Sequence, residues 1–166
     1  MAKYSNNPMQ VGRSAHFSPC RLYRYSLDIT WDSSKPRAAF IGLNPSTADE
    51  VQDDPTVRRC RGFAEREGCG GMRMLNIFGF RATKPKDMLC VADPAGPGND
   101  VANLGRMFEE CAGPWVACWG AHGRHLGRGA EVLRAVHGLR CLGVNQDGSP
   151  KHPLYVRGDS VLLPYG

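Results

Sequence analysis

The sequence predicts an α/β fold, a three-layer sandwich whose central sheet has four parallel strands and an added antiparallel edge strand. Two observations support this. Short continuous apolar runs, typical of strands buried on both faces of a parallel sheet, recur along the chain. Segments with apolar residues at helical spacing lie between them. The 166 residues are 42% hydrophobic and 22% charged, so we expect one globular domain over residues 1–166.

The strands are predicted from two kinds of pattern. Residues 1–18 show neither kind, and we expect an irregular N-terminal segment there. From Tyr23 to Trp31 polar and apolar side chains alternate, which predicts the antiparallel edge strand with one buried face. A turn follows over residues 32–36. Continuous apolar runs predict the four parallel strands at residues 38–43, 72–77, 115–119 and 139–142.

Three helices are predicted between these strands. The first covers residues 55–67, because Asp54 is a good N-cap and Pro55 suits the first helical position. The second covers residues 99–111 and the third residues 123–136, each with its apolar side chains on one face. Residues 78–98 are expected to form a long loop.

Charge, targeting signals and cysteine spacing exclude several classes of protein. Lys and Arg number 21 against 16 Asp and Glu, and this basic balance suits a phosphate-bearing partner. No apolar run approaches the roughly 20 residues of a membrane span, and the N-terminus is polar. We therefore expect a cytoplasmic protein without a membrane partner. The seven cysteines include no C-x-x-C pair, and nucleotide-cofactor fingerprints are absent, so no cofactor is expected.

The candidate functional residues follow the predicted strands. In open α/β sheets, ligands bind beyond the carboxyl ends of the parallel strands. Polar or aromatic residues come directly after all four of them. These positions are 42–49 after the first strand, 76–81 after the second, 119–123 after the third and 145–155 after the fourth. We expect these positions to meet at one site.

Four strings at these places carry a family resemblance. They are GLNPSTAD from Gly42, DDPTVRRC from Asp53, NIFGFRAT from Asn76 and HPLY from His152. On these strings the chain, from Cys20 onwards, resembles a bacterial and phage family known as domain of unknown function 1643. That resemblance implies no biochemical activity.

The same motifs are distantly similar to those of the uracil-DNA glycosylase superfamily. The string at 42–45 resembles the first motif of its mismatch-specific branch, where the asparagine positions the attacking water. The string at 74–78 with Arg81 resembles the middle strand, whose terminal asparagine reads the pyrimidine edge. The string at 152–154 resembles the second motif, where the histidine stabilises the departing base and the following loop enters the duplex. The resemblance implies a uracil-DNA-glycosylase-like fold.

The resulting hypothesis is hydrolysis of the N-glycosidic bond of a normal or modified base in DNA or in a nucleotide. Asn44 would position water, and Asn76 would read the base, because its amide offers a donor beside an acceptor. His152 would donate to the developing anion on the base. The other expected base or substrate contacts are Gly42, Pro45, Ser46, Phe78, Arg81, Leu154 and Tyr155, and the expected phosphate contacts are Lys151 and His122.

Two other functions stay open from the sequence. A non-catalytic nucleic-acid or nucleotide-binding module on the same fold would show salt-dependent binding without cleavage. Alternatively, an acidic cluster could hold Mg²⁺ in a metal-dependent hydrolase, which EDTA would inactivate. The acidic cluster consists of Asp49, Glu50, Asp53 and Asp54. The sequence does not indicate a protein partner.

Overall fold

The computed structural model describes residues 12–46 and 53–166. The strands are β1 (Gly12–Phe17), β2 (Arg24–Thr30), β3 (Arg37–Gly42), β4 (Gly71–Asn76), β5 (Trp115–Ala117), β6 (Arg140–Cys141) and β7 (Leu163–Pro164). The helices are α1 (Pro55–Arg66), α2 (Pro85–Leu89), α3 (Val101–Glu109) and α4 (Arg128–Ala135), with 3₁₀ segments at Ala121–Gly127 and Pro153–Tyr155. The predicted α/β class is confirmed.

The seven strands form one mixed sheet in the order β1-β2-β4-β3-β5-β6-β7. Parallel pairing joins β3 to β4, β3 to β5 and β5 to β6. Antiparallel pairing adds β2 and β1 on one side and β7 on the other. The sheet thus has two more strands than the five expected. In the β3–β4 register Gly42 lies opposite Asn76, so these two strands end at the same level.

The N-terminal part of the sheet corrects two expectations. Residues 12–17 are not irregular, because they form β1 and pair along β2. Their side chains alternate between exposed and half-buried, without a fully buried position, so they carry no strong apolar pattern. Residues 1–11 of the expected irregular segment lie outside the described residues. Strand β2 is antiparallel as expected, but β1 covers it, so β2 is not an edge strand.

Helices cover both faces of the sheet. Helix α1 packs Val57 and Phe63 into the apolar cluster that contains Phe40 of β3. Helix α3 packs Leu104 into the cluster that contains Ile41 of the same strand. Successive residues of a strand point to opposite faces, so these two clusters lie on opposite sides of the sheet. No helix within 12–46 or 53–166 is both long and apolar enough to cross a bilayer.

Two helix predictions need correction. Residues 78–98 are not all loop, because α2 begins at Pro85 within them; only Met88 of this short helix is buried, so it shows no helical periodicity. The third predicted helix begins at Arg128 rather than residue 123. The backbone at Leu126 and Gly127 has positive φ angles of 52° and 67°, which an α-helix cannot accommodate.

Candidate functional site

A cavity of about 580 Å³ lies where β3 and β4 end and where the chain leaves β5. Its volume is within the range of small-molecule sites. Nine of the twelve predicted site residues line it. They are Gly42, Asn44, Pro45, Ser46, Asn76, His122, His152, Leu154 and Tyr155. The structure therefore brings together residues from all four predicted strand ends.

The other three predicted site residues lie away from the cavity. Phe78 is fully buried in the core, with its ring 5.7 Å from that of His125, so it cannot stack on a ligand in the cavity. Arg81 donates to the backbone carbonyl of Arg21 at 3.0 Å and lies over the Phe17 ring. Lys151 is half-buried outside the cavity wall.

Asn44 is both a structural residue and a candidate ligand contact. Its Nδ2 donates to the carbonyls of Pro45, Phe80 and Ala82 at 3.1, 3.4 and 2.9 Å. These bonds tie the loop after β3 to the loop after β4. The Oδ1 atom accepts no hydrogen bond from the described residues, so it can accept one from water or a ligand. The amide orientation is therefore fixed before anything binds.

Asn76 is the most informative side chain of the cavity. It is only 4% exposed, and within the described chain its Nδ2 has no hydrogen-bond partner. A buried donor without a partner costs about 1–3 kcal/mol, so proteins rarely keep one without a use for it. A Cβ atom on Gly42 would lie 3.1 Å from Asn76 Oδ1, so this glycine leaves room for the amide. Asn76 lines the cavity, so a ligand acceptor that reaches the buried Nδ2 from there would satisfy this donor.

Two buried polar side chains, from the loop before α3 and from the start of α4, hold the end of β4. Asn99 donates its Nδ2 to the carbonyls of Asn76 and Ile77 at 3.2 and 3.5 Å. Arg128, at the start of α4, is 7% exposed and donates to the carbonyls of Ile77 and Asn99 and to Glu131. These buried bonds fix the backbone from which the Asn76 amide projects. Neither Asn99 nor Arg128 was predicted, because a buried polar side chain leaves no periodic signal in the sequence.

His152 has a defined tautomer. Its Nδ1 accepts the backbone N–H of Leu154 at 3.2 Å, so the neutral imidazole carries its proton on Nε2. Burial lowers the pKa of His152 below its usual 6.5, and the charge of Asp54 opposes this only in part. At neutral pH the side chain is therefore an uncharged hydrogen-bond donor at the cavity wall.

Arginines of α1 position the segment that carries His152. Arg59 donates to the carbonyl of Pro153 at 3.3 Å and also to that of Val156. Arg66 donates to the carbonyl of Gly158 at 2.6 Å and to that of Ser160. These two side chains thus hold the chain after His152 against the helix. Part of the arginine-bearing surface of α1 is therefore an anchor for the site.

Two charged side chains complete the wall. Arg24 of β2 is 3% exposed; burial lowers its pKa to about 10, which Asp54 opposes, so it remains cationic at neutral pH. Asp54 caps α1 as predicted, with Oδ1 accepting the Val57 N–H at 2.8 Å. Its Oδ2 accepts the Ser46 hydroxyl at 2.7 Å. Arg24 was not predicted, because its alternating strand gave no indication that it faces a ligand.

The predicted acidic cluster is only partly described. Asp49 and Glu50 lie outside the described residues. Asp53 pairs with Arg13, and Asp54 is the helix cap. Within the described ranges, no group of three His, Cys, Asp or Glu side chains is arranged to hold a metal ion.

Apolar and aromatic side chains form the remaining wall. Trp119, which follows β5, is 3% exposed and lines the cavity beside Cys118. Leu154 and Tyr155 lie at the rim and are 45% and 84% exposed. The site combines apolar side chains with a few directed polar groups, which is the usual composition of a small-molecule site.

The fold and the cavity define an α/β protein with a cavity at the ends of its parallel strands. The chain belongs to the family described as protein of unknown function DUF1643, whose model matches residues 24–154. That span includes every cavity-lining residue except Tyr155. Comparison with curated proteins and with solved structures gave no match.

Proposed function

We propose that the protein hydrolyses the N-glycosidic bond of a normal or modified base in DNA or in a nucleotide. The observation that carries this proposal is the buried Asn76 amide, whose Nδ2 has no partner among the described residues. It shares one cavity with the donor of His152 and the acceptor of Asn44. In this proposal the parallel strands and their strand-end site correspond to a uracil-DNA-glycosylase-like fold.

Asn76 is the proposed base-reading residue. Its Nδ2 would donate to a carbonyl oxygen of the base, and its amide oxygen would accept from a ring N–H. Base–aromatic stacking is worth about 1–3 kcal/mol per base, but neither Trp119 nor Phe78 is assigned this role, because both rings belong to the buried core cluster.

His152 and Asn44 are the proposed groups for bond cleavage. The water oxygen forms a bond to the anomeric carbon, and the electron pair of the breaking bond goes to the base nitrogen. The leaving base then develops negative charge on its carbonyl oxygen, to which the His152 Nε2–H can donate. A donor of this kind typically contributes about 10²–10³ in rate. Asn44 Oδ1 would accept a hydrogen bond from the attacking water.

The test is a cleavage assay on a panel of defined substrates. Single- and double-stranded oligonucleotides would carry uracil, hydroxymethyluracil, hypoxanthine or a mismatch, with free deoxynucleotides of the same bases alongside. The readouts are alkali-sensitive abasic sites and released base. We expect cleavage by the wild type, loss of at least about 10² in rate for His152→Gln, and an unchanged rate for Arg134→Gln, an exposed residue of α4 that does not line the cavity.

Two results of the same assay would contradict the proposal. Salt-dependent binding of the oligonucleotides without any abasic product would identify a recognition module. Cleavage that EDTA abolishes would identify a metal-dependent hydrolase instead. Each substrate is therefore also incubated with EDTA, and binding is measured over a range of salt concentrations.

A further inference from the structure

We propose that Asp54 is a further catalytic residue, whose carboxylate takes the proton of the attacking water and stabilises the positively charged sugar. This inference rests on the proposed function and extends it. Asp54 lines the same cavity as Asn44, Asn76 and His152. Among the described lining residues it is the sole carboxylate. Its established structural role is to cap α1.

The bonds that Asp54 makes as the helix cap leave acceptor sites of its carboxylate unoccupied among the described residues. Oδ1 accepts the Val57 N–H at 2.8 Å, and Oδ2 accepts the Ser46 hydroxyl at 2.7 Å. The two oxygens of a carboxylate offer about four acceptor sites. These two bonds also fix the plane of the group, so the remaining acceptor sites have a defined direction. Capping and proton acceptance are therefore compatible in one side chain.

The two polar groups already assigned to the cleavage, Asn44 and His152, cannot perform this step. The Asn44 amide can orient water, but a neutral amide is too weak a base to remove a proton. His152 already uses Nδ1 to accept the Leu154 N–H, and its Nε2 carries the proton in the neutral form. The arrangement therefore supplies an orienting group and a leaving-group donor, and Asp54 supplies the missing base.

The electrostatics of the cavity agree with this placement. The charge of Asp54 raises the pKa of both Arg24 and His152, although burial lowers each of them more strongly. The negative charge thus acts on two groups of the cavity wall. An oxocarbenium-like sugar is cationic and would be stabilised by the same charge.

The step balances as a hydrolysis. The water oxygen bonds to the anomeric carbon, the glycosidic electron pair leaves with the base nitrogen, and one water proton passes to Asp54. The basic leaving group is then protonated from Asp54 or from solvent. The products are the free base and a sugar that carries a hydroxyl at the anomeric carbon.

The first test is Asp54→Asn, which keeps the size and the capping function, because Asn and Asp are about equally good N-caps. We expect a folded protein whose melting temperature is only slightly lower, because the buried Arg24 loses a compensating charge, and a single-turnover cleavage rate about 10²–10⁴ lower than wild type on whichever oligonucleotide the wild type cleaves. The matched control is Asp53→Asn. It removes the neighbouring carboxylate, which pairs with Arg13 and does not line the cavity, and should retain the wild-type rate.

A binding experiment tests the same role without turnover. Duplex oligonucleotides would contain either a pyrrolidine abasic analogue, which is cationic at neutral pH, or a neutral tetrahydrofuran analogue. We expect the wild type and Asp53→Asn to prefer the cationic analogue at least about tenfold, and Asp54→Asn to lose that preference.

The outcomes separate the two proposals. A wild type that cleaves none of the substrates contradicts the proposed function, whatever the analogues show. Wild-type cleavage that persists undiminished in Asp54→Asn overturns the role of Asp54 and leaves the proposed function intact. Equal binding of the two analogues by the wild type also overturns the role of Asp54, even where cleavage is absent.

Discussion

Replacing Asn76 by Leu should make the protein more stable and inactive at the same time. Leu has nearly the shape of Asn but lacks its polar atoms. In the unliganded protein the Asn76 Nδ2 is buried without a partner among the described residues, and Leu removes this unfavourable group. Removal of a base-reading residue should abolish recognition of the base. A residue retained only for packing would not show these two opposite effects.

The expected gain follows from the burial. An unsatisfied buried donor costs about 1–3 kcal/mol, and this is the amount by which the free energy of unfolding should rise. For a chain of this length each kcal/mol shifts the melting temperature by about 2–4 °C. The methyl groups of Leu take the positions of the amide atoms. A Cβ atom at position 42 would crowd this place, at 3.1 Å from Asn76 Oδ1, and because Gly42 has none, little overpacking is expected.

Thermal and urea unfolding of two asparagine variants would measure the effect. The control is Asn99→Leu, because Asn99 is equally buried and also has one unpartnered amide atom among the described residues, Oδ1, but its Nδ2 donates to two carbonyls, those of Asn76 and Ile77. Its loss should destabilise the protein by about 1–3 kcal/mol. A destabilisation of similar size in Asn76→Leu would refute the reasoning, because it would show that the Asn76 amide is already satisfied in the unliganded protein.

Three further predictions concern the groups around Asn76. Gly42→Ala places a Cβ 3.1 Å from Asn76 Oδ1, so cleavage should fall about tenfold, whereas Gly62→Ala, in open space on α1, should leave the cleavage rate unchanged. His152 has a lowered pKa, so below pH 6.5 the unfolded chain binds a proton that the native state does not. The melting temperature should therefore decrease as the pH is lowered below 6.5, and this decrease should be smaller in His152→Gln. Arg59→Leu frees two carbonyls of the His152 segment and should lower both the cleavage rate and, by about 1–3 kcal/mol, the free energy of urea unfolding.

The central strands could be predicted because their sequence pattern is strong. All residues of β4, and all of β3 except Arg37, are buried, so each appears as a continuous apolar or small-residue run. Strands β1 and β7 could not be predicted in the same way. Neither contains a fully buried residue, and both exist because a neighbouring strand offers backbone partners. Such long-range pairing is not encoded in local periodicity.

The site was predictable to the extent that it depends on strand ends. Asn76 and Gly42 are side by side because parallel strands in register deliver their last residues to the same edge. The position of a residue relative to a strand end does not say which way its side chain points. Phe78, two residues beyond Asn76, packs into the core instead of the cavity. Arg24 could not be identified either, because its burial depends on elements distant in sequence.

The polar groups of the cavity share one design feature that constrains the ligand. Asn44 uses its Nδ2 to hold a loop and keeps Oδ1, and His152 uses Nδ1 to hold its own segment and keeps the Nε2 proton. Because the internal bond fixes which atom remains, the ligand must present an acceptor to His152, and the group that meets Asn44, which is the attacking water in the proposed function, must be a donor. Each mismatched group would stay buried and unpaired, at a cost of about 1–3 kcal/mol. A base that carries a carbonyl oxygen should therefore be preferred over one that presents only an amino group at the same position.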